Sequence, residues 1–136
     1  MPTNYSKPLP DVTDDNRPFW EACKRHELLL QTCSACGHIR HATPICPRCW
    51  SVDYTWTPAS GRGRVYTWVV VHQRYNRAFE PDLPYNVTLV ELAEGPRLVT
   101  NLVGIDNDAI RPELPVEVVW DDVTEAITLP KFRPVG

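Results

Sequence analysis

The stretch CSACGHIRHATPICPRC, residues 33–49, carries four of the five cysteines in this chain of 136 residues. They form two pairs, Cys33-x2-Cys36 and Cys46-x2-Cys49, with nine residues between the pairs. A C-x2-C step lets two thiolates converge on one ion, and Gly37 after the first pair permits the tight turn. Four thiolates close a tetrahedral site, so the stretch is expected to fold as a zinc ribbon; an iron site of rubredoxin type suits the same four donors. Two redox-active pairs are the weaker alternative. A closed S4 site leaves no position for water, which makes the metal structural. His38 and His41 are accordingly read as surface polar residues, not ligands. Pro44 and Pro47 stiffen the second pair, and Ile39, Ile45 and Trp50 are expected to supply apolar cover.

What surrounds the ribbon is limited by proline. Fourteen of the residues are proline, roughly twice the usual share of about 5%. Proline breaks helix interiors and suits loops and strand edges, so a mainly β chain with little helix is expected. The length allows one core, not two of full size. No run approaches the roughly 20 apolar residues of a membrane span, and MPTNYSKPLPDVTDD has no secretory pattern. A cytoplasmic location without membrane contact is expected, where thiols stay reduced and metal binding is favoured over disulfides. The formal net charge is −3. Four thiolates and one divalent ion would lower it to about −5. Such a domain is a poor general binder of phosphate backbones, so nucleic acid is not the expected partner.

Along the chain, DDNRPFWEACKRH starts with acidic residues before Pro18 and sets Phe19, Trp20 and Cys23 at helical spacing, predicting a short helix that ends near His26. ELLLQTC leads as a strand into the first cysteine pair. Beyond the ribbon the period becomes two: Val65, Thr67, Val69 and Val71 alternate with Tyr66, Trp68 and Val70, as in a strand covered on both faces. YNVTLVEL and RLVTNLVG, joined by the turn AEGP, predict a hairpin. LPVEVVWDD and ITLPKFRP complete five antiparallel strands, which fit a small barrel of OB-fold type. The expected organisation is an N-terminal arm and helix over 1–27, the ribbon over 28–57 and the barrel over 58–136.

The chain offers little catalytic machinery. There is no nucleophile elbow, phosphate-binding glycine loop or HExxH. Cys23 has no basic partner by spacing and reads as a buried helix cysteine, and a lone His72 reads as structural; no catalytic residue is expected. Arg62, Arg64, Arg74 and Arg77 form a run with no acidic residue between positions 54 and 79. Such a patch could meet coenzyme A phosphates or the acidic face of a partner, or could be a solvated strand edge. Tyr66, Trp68, Tyr75 and Phe79 could stack bases in a single-stranded nucleic-acid binder, against which the charge argues. Trp68, Phe79 and Tyr85 instead suit contact with a protein partner or an acyl-CoA.

The order short helix, C-x2-CG…P-x-C-P-x-C, SGRGRVYTW, LVEL-x-EG-x-RL, LPVEVVW and LPKFRP resembles the DUF35 family over about residues 18–134. These are small acyl-CoA-associated proteins with a rubredoxin-like zinc ribbon followed by an OB-fold. The resemblance implies an accessory subunit of a thiolase-like enzyme: a thiolase, an acyltransferase or a steroid side-chain retro-aldolase. The larger subunit there carries the catalytic residues, in an α2β2 assembly, and the small one helps accommodate a coenzyme A thioester. A free-standing acyl-CoA-binding protein is the alternative. Family members usually have Gly before the fourth barrel strand, where this chain has Glu113, so a turn needing positive φ would be altered here.

Overall fold

The structure is a computed structural model and describes residues 5–135; residues 1–4 of the expected N-terminal arm, and Gly136, lie outside the described residues. Among the described residues one α-helix, α1 (Arg17–Lys24), precedes eight strands, and two short 3-10 helices, Arg77–Asp82 and Asn107–Ala109, lie in the later loops. Pro18 occupies the first turn of α1 and Phe19, Ala22 and Cys23 are buried. The helix stops where His26 takes a φ of 60° and the His26 and Glu27 amides donate back to Cys23 and Ala22. That reverse turn leaves Leu28 buried at the entry to the ribbon.

The ribbon is a three-stranded antiparallel sheet of β1 (Leu29–Cys33), β2 (Ile39–Arg40) and β3 (Tyr54–Pro58), with β1 in the middle. Gln31 lies opposite Arg40 on one side and Trp56 on the other. The first cysteine pair sits in the turn from β1 to β2, and the second in the longer connection to β3.

Five further strands, β4 (Arg62–Val71), β5 (Tyr85–Leu92), β6 (Arg97–Thr100), β7 (Pro115–Asp122) and β8 (Thr128–Pro134), make a curled antiparallel sheet in the order β6-β5-β4-β7-β8. Its edges meet just after β6. There Leu102 bridges Phe132 in parallel, and the Val103 amide donates to the Phe132 carbonyl at 2.8 Å. The result is the partly open barrel expected of an OB-fold. Buried Asn86 fastens this closure: its Oδ1 accepts from the Leu102 amide at 2.7 Å and its Nδ2 donates to the Leu102 carbonyl at 3.0 Å.

One expectation for β4 fails. The register against β5 slips between Val65 and Thr67, so Tyr66 is an extra residue in a bulge. Ahead of the bulge Val65 is fully buried; beyond it the opposite phase turns inward, with Trp68 across from buried Thr88 and Val70 across from buried Asn86. Tyr66 and Val69 are exposed at 46% and 59%, so the strand is covered on one face only. Gly63 needs its missing side chain, since a Cβ there would stand 2.5 Å from the Glu91 carbonyl oxygen.

The core runs across both sheets. Phe19, Cys23, Leu28 and Leu30 pack in one cluster with Val65, Val90, Leu98, Val116 and Phe132. Among the described residues no helix is long and apolar enough to cross a membrane.

Candidate metal centre and the clefts beside it

Two turns of like geometry bring the cysteines together. In the first, the Gly37 amide donates to the Cys33 carbonyl at 2.9 Å; in the second, the Trp50 amide donates to Cys46 at the same distance. Both turns need a left-handed residue after the second cysteine. Gly37 supplies it at φ 79°, and Trp50 does so at 64° despite its side chain. Trp50 is 81% exposed and Ile45 51% exposed, so neither supplies the expected apolar cover. Ile39 does pack against the core.

The four Sγ atoms of Cys33, Cys36, Cys46 and Cys49 all lie within 4.8 Å of one another. The Cys33–Cys49 and Cys36–Cys46 separations are 3.5 and 3.7 Å. A disulfide would need about 2.05 Å. Tetrahedral zinc with Zn–S bonds of about 2.3 Å places its sulfurs about 3.8 Å apart. The residues therefore fit a closed tetrathiolate site, with Cys33 and Cys46 buried and Cys36 and Cys49 at the surface.

The electrostatics favour a cation. Backbone N–H groups of Cys36 and Ala35 pull the Cys33 thiol down to about 6. Burial opposes ionisation of Cys46, but the Cys49 and Arg48 amides hold it below the usual thiol range. The Ser51 amide favours the Cys49 thiolate too, yet contacts with Cys33, Cys36 and Cys46 push that thiol up to about 12. Sulfurs this crowded lose their last protons only with a positive ion among them.

The remaining candidates are dispersed. Arg62 and Arg64 stand at the start of β4 and Arg74 and Arg77 beyond its end, roughly 30 Å of strand apart. Acidic residues from elsewhere meet two of them: Arg64 pairs with Glu91 and Glu113, both at 2.6 Å, and Arg74 with Glu80 at 3.1 Å. Trp68 packs against the core. Phe79 and Tyr85, with ring centroids 5.6 Å apart, line a cleft of about 640 Å³ with arm residues Lys7 to Pro10. Lys7 pairs with Asp82 and lies 5.7 Å from the Phe79 ring centroid. Tyr75 is 79% exposed.

Cys23 is fully buried, and that burial pushes its thiol up to about 12. His72 is exposed. His41 is not the surface residue expected: its ring meets Phe19 edge-on at 4.7 Å, and burial lowers its pKa. Opposite Gln31, Arg40 is 4% exposed, a position the sequence did not mark as functional. No sequence signal pointed to it: alternation in HIRH would turn Ile39 inward and Arg40 outward, the reverse of the burial of Arg40.

Comparison with known proteins agrees with this architecture. Residues 20–54 match the family described as the ChsH2 rubredoxin-like zinc ribbon domain, and residues 56–121 the ChsH2 C-terminal OB-fold domain. The chain is 46% identical over 129 residues to a probable enoyl-CoA hydratase alpha subunit of Thermomonospora curvata, covering 94% of this chain but 40% of that protein. It thus spans about two-fifths of that relative. A DUF35 domain-containing scaffold protein of Pyrococcus furiosus is 34% identical, with 86% of this chain and 90% of that one covered. Among solved structures, a chain of an Ltp2-ChsH2(DUF35) aldolase superposes with a TM-score of 0.83 at 46% identity, over 93% of this chain and 98% of that one.

Proposed function

The chain belongs to the DUF35 family, in its form with a ChsH2-type zinc ribbon and OB-fold, and from that membership we propose that it is a non-catalytic subunit of a thiolase-like acyl-CoA enzyme. The observation that carries this reading is the match over 98% of one chain of a two-component aldolase. In that role the chain stabilises a larger partner, which holds the reacting groups, and helps to accommodate the coenzyme A thioester. An α2β2 assembly in a reducing, cytoplasmic setting is part of the proposal. One structural zinc on Cys33, Cys36, Cys46 and Cys49 keeps the ribbon folded, since ribbon folding is coupled to metal binding.

The chemistry of the chain supports a supporting role. Its four clustered thiols suit a closed site with no place for substrate. Cys23 is sealed in the core with its thiol protonated. The test is co-expression with a thiolase-like protein encoded beside it, followed by size-exclusion chromatography and assay on acyl-CoA esters. Co-elution, with turnover that needs both chains, is the expected result. Tight binding of acyl-CoA by this chain alone, with no association with the thiolase-like protein, would favour the free-standing alternative.

A further inference from the structure

Between the ribbon and the β5–β6 turn lies a cleft of about 650 Å³. Arg40, His38, His41 and Arg48 line one side, and Glu94 and Arg97 the other. Arg40 is unusual within it. The side chain is 4% exposed, and its Nε and Nη1 have no hydrogen-bond partner. Nη2 reaches only the Thr43 carbonyl, at 3.5 Å. Tyr54 offers its ring face 5.1 Å from the guanidinium carbon, but among the described residues no carboxylate pairs with Arg40. A buried guanidinium without a counter-charge is costly, and a bidentate oxyanion is the group that fits its planar fork.

The neighbours narrow the class. Arg48 has no hydrogen bond or ion pair among the described residues, and it stands at the cleft mouth. Arg97 lies across from it, held by Glu91 at 3.2 Å and stacked on Tyr66. Two histidines add donors. That is more donor capacity than one carboxylate can accept, and it suits the several oxygens of a phosphate. Glu94 then adds selectivity. Its Oε2 accepts from the Ser60 amide at 2.8 Å, while Oε1 is buried and without a partner. An acceptor placed there needs a ligand that carries a proton. Inorganic phosphate keeps one near neutral pH and a phosphate monoester does so at about pH 6; sulfate does not.

We propose that this cleft binds a protonated phosphate group, with Arg40 at its floor, Arg48 and Arg97 at its mouth and Glu94 accepting the phosphate hydroxyl. Arg64 of the β4 run shares the Glu91 carboxylate with Arg97, but none of the four arginines of that run lines the cleft. The inference does not rest on the partner-subunit reading, because the 136-residue chain alone is sufficient to test it.

The experiment is a calorimetric titration of the zinc-loaded chain with inorganic phosphate in chloride at constant ionic strength, repeated with sulfate. Saturable phosphate binding is expected, with sulfate weaker by about tenfold or more, the usual effect of leaving a buried acceptor unsatisfied. Arg48→Gln should weaken phosphate by about fivefold, and Arg40→Gln should abolish binding. Since a variant at buried Arg40 can fail to fold, Glu94→Gln is decisive: it supplies a donor and should let sulfate bind at least as well as phosphate. Absence of saturable phosphate binding overturns the proposal, as does unchanged phosphate and sulfate binding in folded, zinc-loaded Arg48→Gln and Glu94→Gln chains. Competition by coenzyme A but not by dephospho-coenzyme A assigns the site to the 3′-phosphate monoester. Competition by neither assigns it to free phosphate, and both results uphold the site.

Discussion

Arg64 donates from Nη1 to the Glu113 carboxylate at 2.6 Å, and Glu113 is itself held in left-handed backbone at φ 67°. Two strands meet at that contact. The Glu113 amide donates to the Val65 carbonyl, and the Val65 amide to the Leu114 carbonyl. The turn before β7 therefore does need a positive φ, and a non-glycine residue adopts it. Glu113→Gly should relieve about 1 kcal/mol of backbone strain, leaving stability unchanged or slightly raised, because the exposed ion pair contributes little. A β-branched Glu113→Val should lose about 2 kcal/mol, since it keeps the conformation and crowds it. Urea unfolding of the zinc-loaded variants gives both numbers. A Gly variant destabilised by about 1 kcal/mol or more relative to the parent chain would show that the carboxylate, not the backbone, holds this turn.

Metal content and stability should change together. The purified chain is expected to carry close to one zinc, and Cys36→Ser should lower both zinc content and melting temperature. Cys36 and Cys49 lie at the surface, which gives a chelator access to the site. Acid should also release the ion, because ligand thiolates must then take up protons. Elemental analysis and melting curves across a chelator series check this. Retention of full stability by a metal-free chain would contradict it.

Cys23 should behave as a core residue. In the folded chain its thiol ionises only near 12, against about 9 for an ordinary cysteine. Between those values the unfolded chain loses a proton that the folded chain keeps. Stability should therefore fall as pH rises from about 9 towards 12, and the fall should be shallower in Cys23→Ala. In the assembled enzyme, Cys23→Ala and His72→Ala should leave turnover within about tenfold, whereas loss of an essential acid or base costs about 10² to 10⁴. Unfolding at two alkaline pH values and steady-state assays are sufficient.

Assembly should depend on the aromatic cleft beside the arm. Phe79→Ala or Tyr85→Ala should weaken co-elution with the thiolase-like subunit, with zinc content unchanged, since buried aromatic anchors cost about 2 kcal/mol or more on truncation. The Lys7–Asp82 pair ties the arm to the same cleft, so deleting residues 1–10 should alter the effect of both substitutions. Size-exclusion chromatography with a zinc assay separates weakened docking from loss of fold.

The ribbon was legible because four cysteines at fixed spacing leave one geometry, and the hairpin because AEGP is short and its flanks alternate. The β4 bulge was not legible. An inserted residue such as Tyr66 leaves the period intact on each side and changes only its phase, which no single strand reveals. The β4 arginines looked unopposed for a related reason: Glu91 and Glu113 reach Arg64 from 27 and 49 residues away. Arg40 escaped notice because burial of a charged side chain depends on the packing of both sheets, not on its neighbours in sequence.

The apolar cluster that joins Leu28 and Leu30 to Val65 and Val90 crosses the line between the two matched family domains. A cut near residue 59 would give two fragments, each with an open hydrophobic wound. Because the two domains share one core, they should be appended or transplanted only as a whole. That fits their occurrence as two-fifths of a hydratase subunit and as nine-tenths of a separate scaffold protein. Anyone grafting this ribbon onto another barrel should expect to carry α1, β1 and the facing wall of β4 and β8 with it.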